Sequence, residues 1–296
     1  MTYAHQPFVD DTKTIPRMPS WVTSTRPETP DDVAFLSGGA LAHLHLVLSR
    51  NDVPQTLLRA RLALRAAEAC LTFSGRPERA GDLRDVVGFL QPGDSPGPAG
   101  DIYLSWRRAV TRPISFKMLQ RALPQMGAEQ IAGWLDAGQG APVALAAAVL
   151  QAVMEDRPRD HTAPLLLADA ALAQALGWSH VLPLLALGIK RTDLQKVGDE
   201  LRLSCHRAIT TAAAEITREA ADLARRAACL KEVAPKLRAK GADAAVALFR
   251  SQEALAPMAL TSLRSDRAAR RFCDRLVELG AVRELTGRDT FRLYGV

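Results

Sequence analysis

The last 32 residues, Ser265 to Val296 (SDRAARRFCDRLVELGAVRELTGRDTFRLYGV), admit few folds. Ser265 is an N-cap residue, and Asp266 falls in the first turn, where the helix dipole favours negative charge. Ala269, Phe272, Leu276 and Leu279 then recur at the three- and four-residue spacing of one buried helix face. Gly280 stops the helix. Val282 to Leu285 and Thr290 to Tyr294 read as two short strands joined through Thr286-Gly287-Arg288-Asp289, with Phe291 and Leu293 on one face. The exposed side of the helix carries Arg267, Arg270, Arg271 and Arg275, and the hairpin adds Arg283, Arg288 and Arg292.

A helix running into a two-stranded wing is the order that ends a winged helix-turn-helix. Such a domain puts its second helix in the DNA major groove and its wing against the backbone. From Arg264 to the end there are eight Arg against three Asp and two Glu, a local surplus of three positive charges. The plainer alternative is a solvated helix and hairpin docked on another domain, since winged helices also serve as protein-interaction modules.

A chain of 296 residues is long enough for two domains, one with a large core. Aromatics are scarce, while Ala, Leu and Arg are abundant, which favours helix over sheet. A formal net charge of +6 is compatible with a polyanionic partner without demanding one. Cys70, Cys205, Cys229 and Cys273 form no CxxC pair, so neither a zinc site nor a disulfide framework is indicated, and each is expected to act as a small buried hydrophobe. The N-terminus has no basic region followed by an apolar core, and the apolar stretches are too short or too interrupted to span a bilayer. The expected location is cytoplasmic, with no membrane partner.

Residues 1–30 hold Pro16, Pro19, Pro27 and Pro30 among Thr and Ser and read as a flexible arm, with Trp21 available to pin part of it. Asp31 or Asp32 is expected to cap a helix carrying Phe35, Leu36, Leu41, Leu44 and Leu48, in which Gly38-Gly39 permits a close crossing or a bend. Further helices are expected at Pro54–Phe73, Asp82–Leu90, Trp106–Val110, Ser115–Leu123 and Ala128–Ala137, with Gln91 to Gly100 as a surface loop. Ala141 to Glu155 is apolar nearly all round and is expected at the centre of the core. Ala163–Leu176 follows, closed by Gly177, then a short helix after Pro183 and a long one from Gly198 to Ala234. Lys236, Arg238 and Lys240 form a basic linker into Asp243–Arg250, and Ser251 to Leu260 is expected to hold a turn and a second helix.

Most of the chain, about Thr29 to Val296, resembles the uncharacterised bacterial family called domain of unknown function 1403. The stretches that carry the resemblance are AFLSGGAL, PGDSPGP, HTAPLLLADAALAQALGW, APKLRAKGADA and SDRAARRF with GRDTFRLYG. The family implies no biochemical role. The layout of helical body, long helix and winged tail is also similar to Fic proteins with a C-terminal winged helix, which transfer AMP to hydroxyl groups. Their site is a loop reading close to His-Pro-Phe-x-Asp/Glu-Gly-Asn-Gly-x-Arg before a Leu-rich helix. The corresponding place here, Met154 to Thr162, reads MEDRPRDHT, with no His-Pro-Phe, Gly or Asn. Without Gly a backbone cradle for phosphate is hard to close, so no catalytic residue is carried over.

His161 beside Asp156 and Asp160 is the best remaining acid/base or metal cluster. The plainer account is that Asp160 or Thr162 caps the helix and His161 makes one local hydrogen bond. His43 and His45 are two apart on a helix and so point to different faces. Glu68, Asp82 and Asp85 are read as exposed or salt-bridged acids. No phosphate-loop, dinucleotide, zincin or esterase motif occurs.

These readings combine into a mainly α protein. A multi-helix body (residues 31–235, with a degenerate Fic-like origin as an option) leads through linker 236–240 to a winged helix-turn-helix at 241–296. The expected function is non-enzymatic DNA binding or regulation, with no catalytic residue, metal or cofactor. Arg267, Arg270 and Arg271 would face the major groove, and Arg275 on the same exposed side is also expected to bind DNA. Arg288 and Arg292 on the wing would meet phosphate or the minor groove, and Lys236, Arg238 and Lys240 in the linker would add backbone contacts. The body would sense a ligand or partner, or form a homodimer. The alternative is a Fic-like pseudoenzyme acting through protein–protein contacts, its winged helix used only for packing.

Overall fold

The alanine- and leucine-rich segments become helices, as their propensity dictates. The computed structural model describes residues 14–91, 93–237, 239–288 and 290–296. In chain order the helices are α1 (Ser20–Ser24), α2 (Pro30–Leu48), α3 (Gln55–Phe73), α4 (Ala80–Gly88), α5 (Gly97–Thr111), α6 (Phe116–Ala122) and α7 (Ala128–Asp136). Then come α8 (Pro142–Asp156), α9 (Thr162–Ala175), α10 (Leu184–Gly188), α11 (Gly198–Val233), α12 (Ala242–Phe249) and α13 (Asp266–Glu278). An antiparallel hairpin, β1 (Arg283–Glu284) with β2 (Tyr294–Gly295), ends the chain.

The centre of the core is α9, buried at every position from Thr162 to Ala173. The sequence pointed instead to the segment that forms α8, which packs alongside. One flank of α8 lines surface grooves through Pro142 and Leu145 and is half-buried there. Around this pair, α2 lies along α11, α3 along α5, and α10 against both α9 and α11. The longest helix, α11, buries Ile209, Ile216, Leu223 and Leu230 along one stripe.

Several boundaries differ from expectation, each for a local reason. Thr29, not Asp31 or Asp32, is the N-cap of α2; its side chain accepts from the Asp32 amide while Asp32 returns to the Thr29 amide, a reciprocal capping box. Within the expected arm, Ile15 and Val22 are buried, and Trp21 packs so close to Gly39 that a Cβ there would meet its ring at 2.7 Å. Phe35, expected in the core, is exposed and stacks on Trp21 with ring centroids 5.5 Å apart. Residues Gly97 to Gly100, read as loop, form the first turn of α5. Where a second helix was expected in Ser251 to Leu260 there is one 3-10 turn, Pro257–Ala259. Leu255 is drawn out of helix by pairing with Tyr294, each amide donating to the other's carbonyl at 2.9 Å.

Cys70, Cys205 and Cys273 are buried free thiols, and burial pushes Cys70 up to about 12, so it behaves as a hydrophobe. Among the described residues no helix is long and apolar enough to cross a membrane.

Candidate nucleic-acid interface

Ser265 caps α13, its hydroxyl accepting from the Ala268 amide at 3.2 Å. Ala269, Phe272, Cys273 and Leu276 are buried, and Leu279 packs against the same cluster. A helix with one face anchored this way must present the other. That face carries Arg267, Arg270, Arg271 and Arg275, all exposed. Arg270 pairs with Asp266 at 2.8 Å and Arg275 with Glu278 at 2.8 Å, both within the helix. Exposed pairs of this kind are worth little and exchange readily for a phosphate. Arg267 and Arg271 have no acidic partner within ion-pair distance among the described residues.

The hairpin is held by Glu284, whose carboxylate accepts from the amides of Thr286 and Gly287 at 2.8 Å and from the Thr286 hydroxyl. Phe291 and Leu293 do not share a face: Leu293 is buried while Phe291 is 75% exposed, with a left-handed φ of 56° that breaks the strand. Phe291 instead meets Phe89 edge-on at 6.0 Å.

The expected wing contacts are more engaged than the helix. Arg288 reaches back to Asp85 of α4 at 3.6 Å, though its side chain stays 58% exposed. Arg292 is half-buried and donates to the Arg288 carbonyl at 2.9 Å. Lys236 and Lys240 are exposed, and Arg238 and Asp289 lie outside the described residues. Among the described residues of the expected set, Arg267, Arg271, Lys236 and Lys240 are thus the cations that are exposed and in no ion pair, and of these Arg267 and Arg271 lie on the helix.

The whole C-terminal unit sits on α3 and α4. Arg84 donates to the Leu285 carbonyl at 2.8 Å, and a Cβ on Gly88 would come within 3.0 Å of Leu293. Its seam with the body contains a cavity of about 430 Å³ bordered by Arg59, Arg84, Arg107 and Glu253.

The loop between α8 and α9 lines an open cleft of about 830 Å³ with Ser74, Asp101, Ser105 and Arg108. Its polar groups are occupied locally. Asp160 caps α9 by accepting from the Thr162 and Ala163 amides at 2.8 and 3.1 Å, and His161 Nδ1 lies 3.2 Å from the Ser74 hydroxyl. Burial holds His161 below its ordinary pKa, against the pull of Asp160. Ser74 already donates to the Cys70 carbonyl at 3.0 Å, which leaves it poorly placed as a nucleophile. Among the described residues no group of three or more His, Cys, Asp or Glu could hold a metal ion. His43 engages Pro16, while His45 and His206 engage Trp178 and Ser37 along one groove. Glu68 and Asp85 are paired to arginines, and Asp82 caps α4 through the Arg79 amide.

Sequence reasoning missed a second basic surface, on α5 and α6. The signal was there: no Asp or Glu occurs between Asp101 and Glu129, while Arg107, Arg108, Arg112, Lys117 and Arg121 do.

These features define a mainly helical protein whose C-terminal helix presents an arginine face. The chain belongs to the family described as Protein of unknown function (DUF1403), which matches residues 6–296. No curated protein matches the chain.

Proposed function

We propose that residues 241–296 form a winged helix-turn-helix that binds DNA, with α13 as recognition helix, and that the helical body regulates it. The observation that carries this reading is the arginine face of α13, exposed along its length while the opposite face is buried. The order of elements supports it. Helix α12, the extended Leu255, the turn at Pro257–Ala259, α13 and the hairpin follow one another, and β2 pairs with both β1 and Leu255. Leu255 and the hairpin thus form a three-strand edge beside α13, the helix that would enter the major groove. Arg267 and Arg271 would reach base edges or phosphates, and Arg288, tethered to Asp85, would order the wing rather than lead it.

The test is binding of the purified chain to a generic duplex across a salt series, beside Arg267→Ala/Arg271→Ala. The slope of log affinity against log salt should flatten by about one unit for each phosphate that is no longer neutralised. Absence of binding at low salt, or binding that the double variant leaves unchanged, would remove the reading.

A second reading, a Fic-like pseudoenzyme that works through protein contacts, draws on the cleft lined by Asp156 to Thr162. It takes precedence if the chain ignores DNA while substitutions in that cleft abolish a protein interaction.

A further inference from the structure

We propose that the groove between α5 and α6 is a second nucleic-acid contact, which holds the phosphate backbone of the duplex engaged by α13. The groove, of about 1000 Å³, is lined by Arg107, Arg108, Arg112, Lys117 and Arg121, with Thr111 and Gln120 between them. All five cations are exposed, and among the described residues none has a carboxylate within ion-pair distance. Single cations without an ion pair occur elsewhere in the chain, but here five line one groove and no acid falls in the same stretch of sequence.

Charge distribution gives the groove its weight. Residues 102–128 hold five Lys/Arg and no Asp/Glu, and residues 264–296 carry a surplus of three, against a net of +6 for the whole chain. The remainder is therefore at −2, and these two surfaces are where a polyanion would be drawn.

The geometry also sets a direction. Arg108 and Pro124 form the wall shared with the cleft that contains Asp101, Asp156 and Asp160, so the groove's positive field is blunted at that end. Arg107 and Thr111 form the wall shared with the seam cavity, where Arg59 continues the positive lining towards Ser251 and Gln252 of the C-terminal unit, with Arg84 paired to Asp85 and Glu253 paired to Arg61. A small-molecule site would converge buried donors in an enclosed apolar pocket. Long exposed cations spread along an open groove suit a chain of phosphates, bound through counterion release.

The partner rests on the DNA reading above, and the experiment separates the two. The full chain is titrated with a labelled duplex over a salt series in four forms: wild type, Arg112→Gln/Lys117→Gln/Arg121→Gln, Arg267→Ala/Arg271→Ala, and Arg207→Gln/Arg218→Gln/Lys231→Gln. The last removes the same charge from α11, outside the groove. The groove variant should lower the salt slope by about two to three units, at roughly 0.9 per phosphate, and weaken binding at least about tenfold, while the α11 control stays within about twofold of wild type. Equal behaviour of the groove variant and the α11 control would overturn the inference. Loss in the groove variant alone, with the α13 variant unchanged, would keep the groove and remove the recognition helix; the reverse would keep the helix and remove the groove. Inorganic tripolyphosphate bound by the wild type but not by the groove variant, with duplex affinity equal in both, would reassign the groove to free polyphosphate and overturn it as a DNA contact. Should the triple variant fail to fold, Lys117→Gln and Arg121→Gln singly, each expected to cost about one unit of slope, carry the same test.

Discussion

Arg61 of α3 donates through Nε to the Glu253 carboxylate at 2.9 Å, with the two side chains only 17% and 14% exposed. The same guanidinium donates to Glu219 of α11 at 2.9 Å and to the main-chain oxygen of Val296 at 2.9 Å. One side chain thus joins the body to the segment that follows α12 and to the residue after β2. Burial pushes the Glu253 carboxyl above its ordinary value, and Arg61 pulls it back. Arg61→Met should therefore cost about 3 kcal/mol in urea unfolding, because it strands a buried carboxylate. Arg61→Lys should recover only part, since a single nitrogen cannot reach three acceptors that are met by three separate guanidinium nitrogens. A Met variant as stable as wild type would show that the seam is held by apolar packing alone.

Elements whose register follows from local periodicity were readable from the sequence. Ile209, Ile216, Leu223 and Leu230 recur every seven residues and lie on the buried stripe of α11, and Ser115 and Ser265 cap the helices they precede. What could not be read was set by partners far along the chain. Leu255 is extended because Tyr294 pairs with it, which overrides any helical tendency in Ser251 to Leu260. Phe291 leaves the strand pattern because Phe89 of the body is there to meet it. The same holds for the candidate site. The arginine face of α13 was legible from spacing, yet that Arg288 would be tethered to Asp85 was not, because nothing local links them. The acid-free run that makes the α5–α6 groove was visible as composition, but only the packing of α6 against α5 turns it into one surface.

Asp169, at the middle of the most buried helix, accepts from the Leu185 and Ala186 amides at 2.8 and 3.2 Å and so fixes the start of α10. Burial pushes its carboxyl up to about 8, and the amides of α10 oppose that push. Asp169→Ala leaves those amides without an acceptor in a wholly buried place, for a loss of about 3 kcal/mol. Thermal unfolding would show it as a large drop in Tm; a change of a degree or less would mean that α10 is capped some other way.

Two glycines should respond in opposite directions. A Cβ on Gly188 would lie 2.0 Å from the Ala208 carbonyl oxygen, so α10 and α11 touch backbone to backbone there. Gly188→Ala has to separate them and should cost at least about 3 kcal/mol. Gly38, inside α2, has nothing within 4 Å of the place a methyl group would take. Gly38→Ala should raise stability by roughly 0.5–1 kcal/mol through helix propensity. Chemical denaturation of the pair checks both signs at once.

Acid should weaken the body through three histidines. His161, His180 and His206 are each held below their ordinary pKa, first by burial; Arg191, Arg59 and Arg202 respectively add repulsion, and Asp160 alone opposes, at His161. Each is seated on a serine, at 3.2 Å from Ser74, 2.8 Å from Ser179 and 2.6 Å from Ser37. A histidine whose folded pKa is depressed binds fewer protons folded than unfolded. Its contribution is complete above the unfolded value of about 6.5 and is lost as the pH falls below it. Unfolding midpoints in urea should therefore decline from about pH 7 to pH 5, and His206→Gln, which keeps a polar group beside Ser37, should flatten part of that decline. A profile that stays level in the wild type, or that His206→Gln leaves as steep, would mean that these rings reach solvent well enough to charge freely.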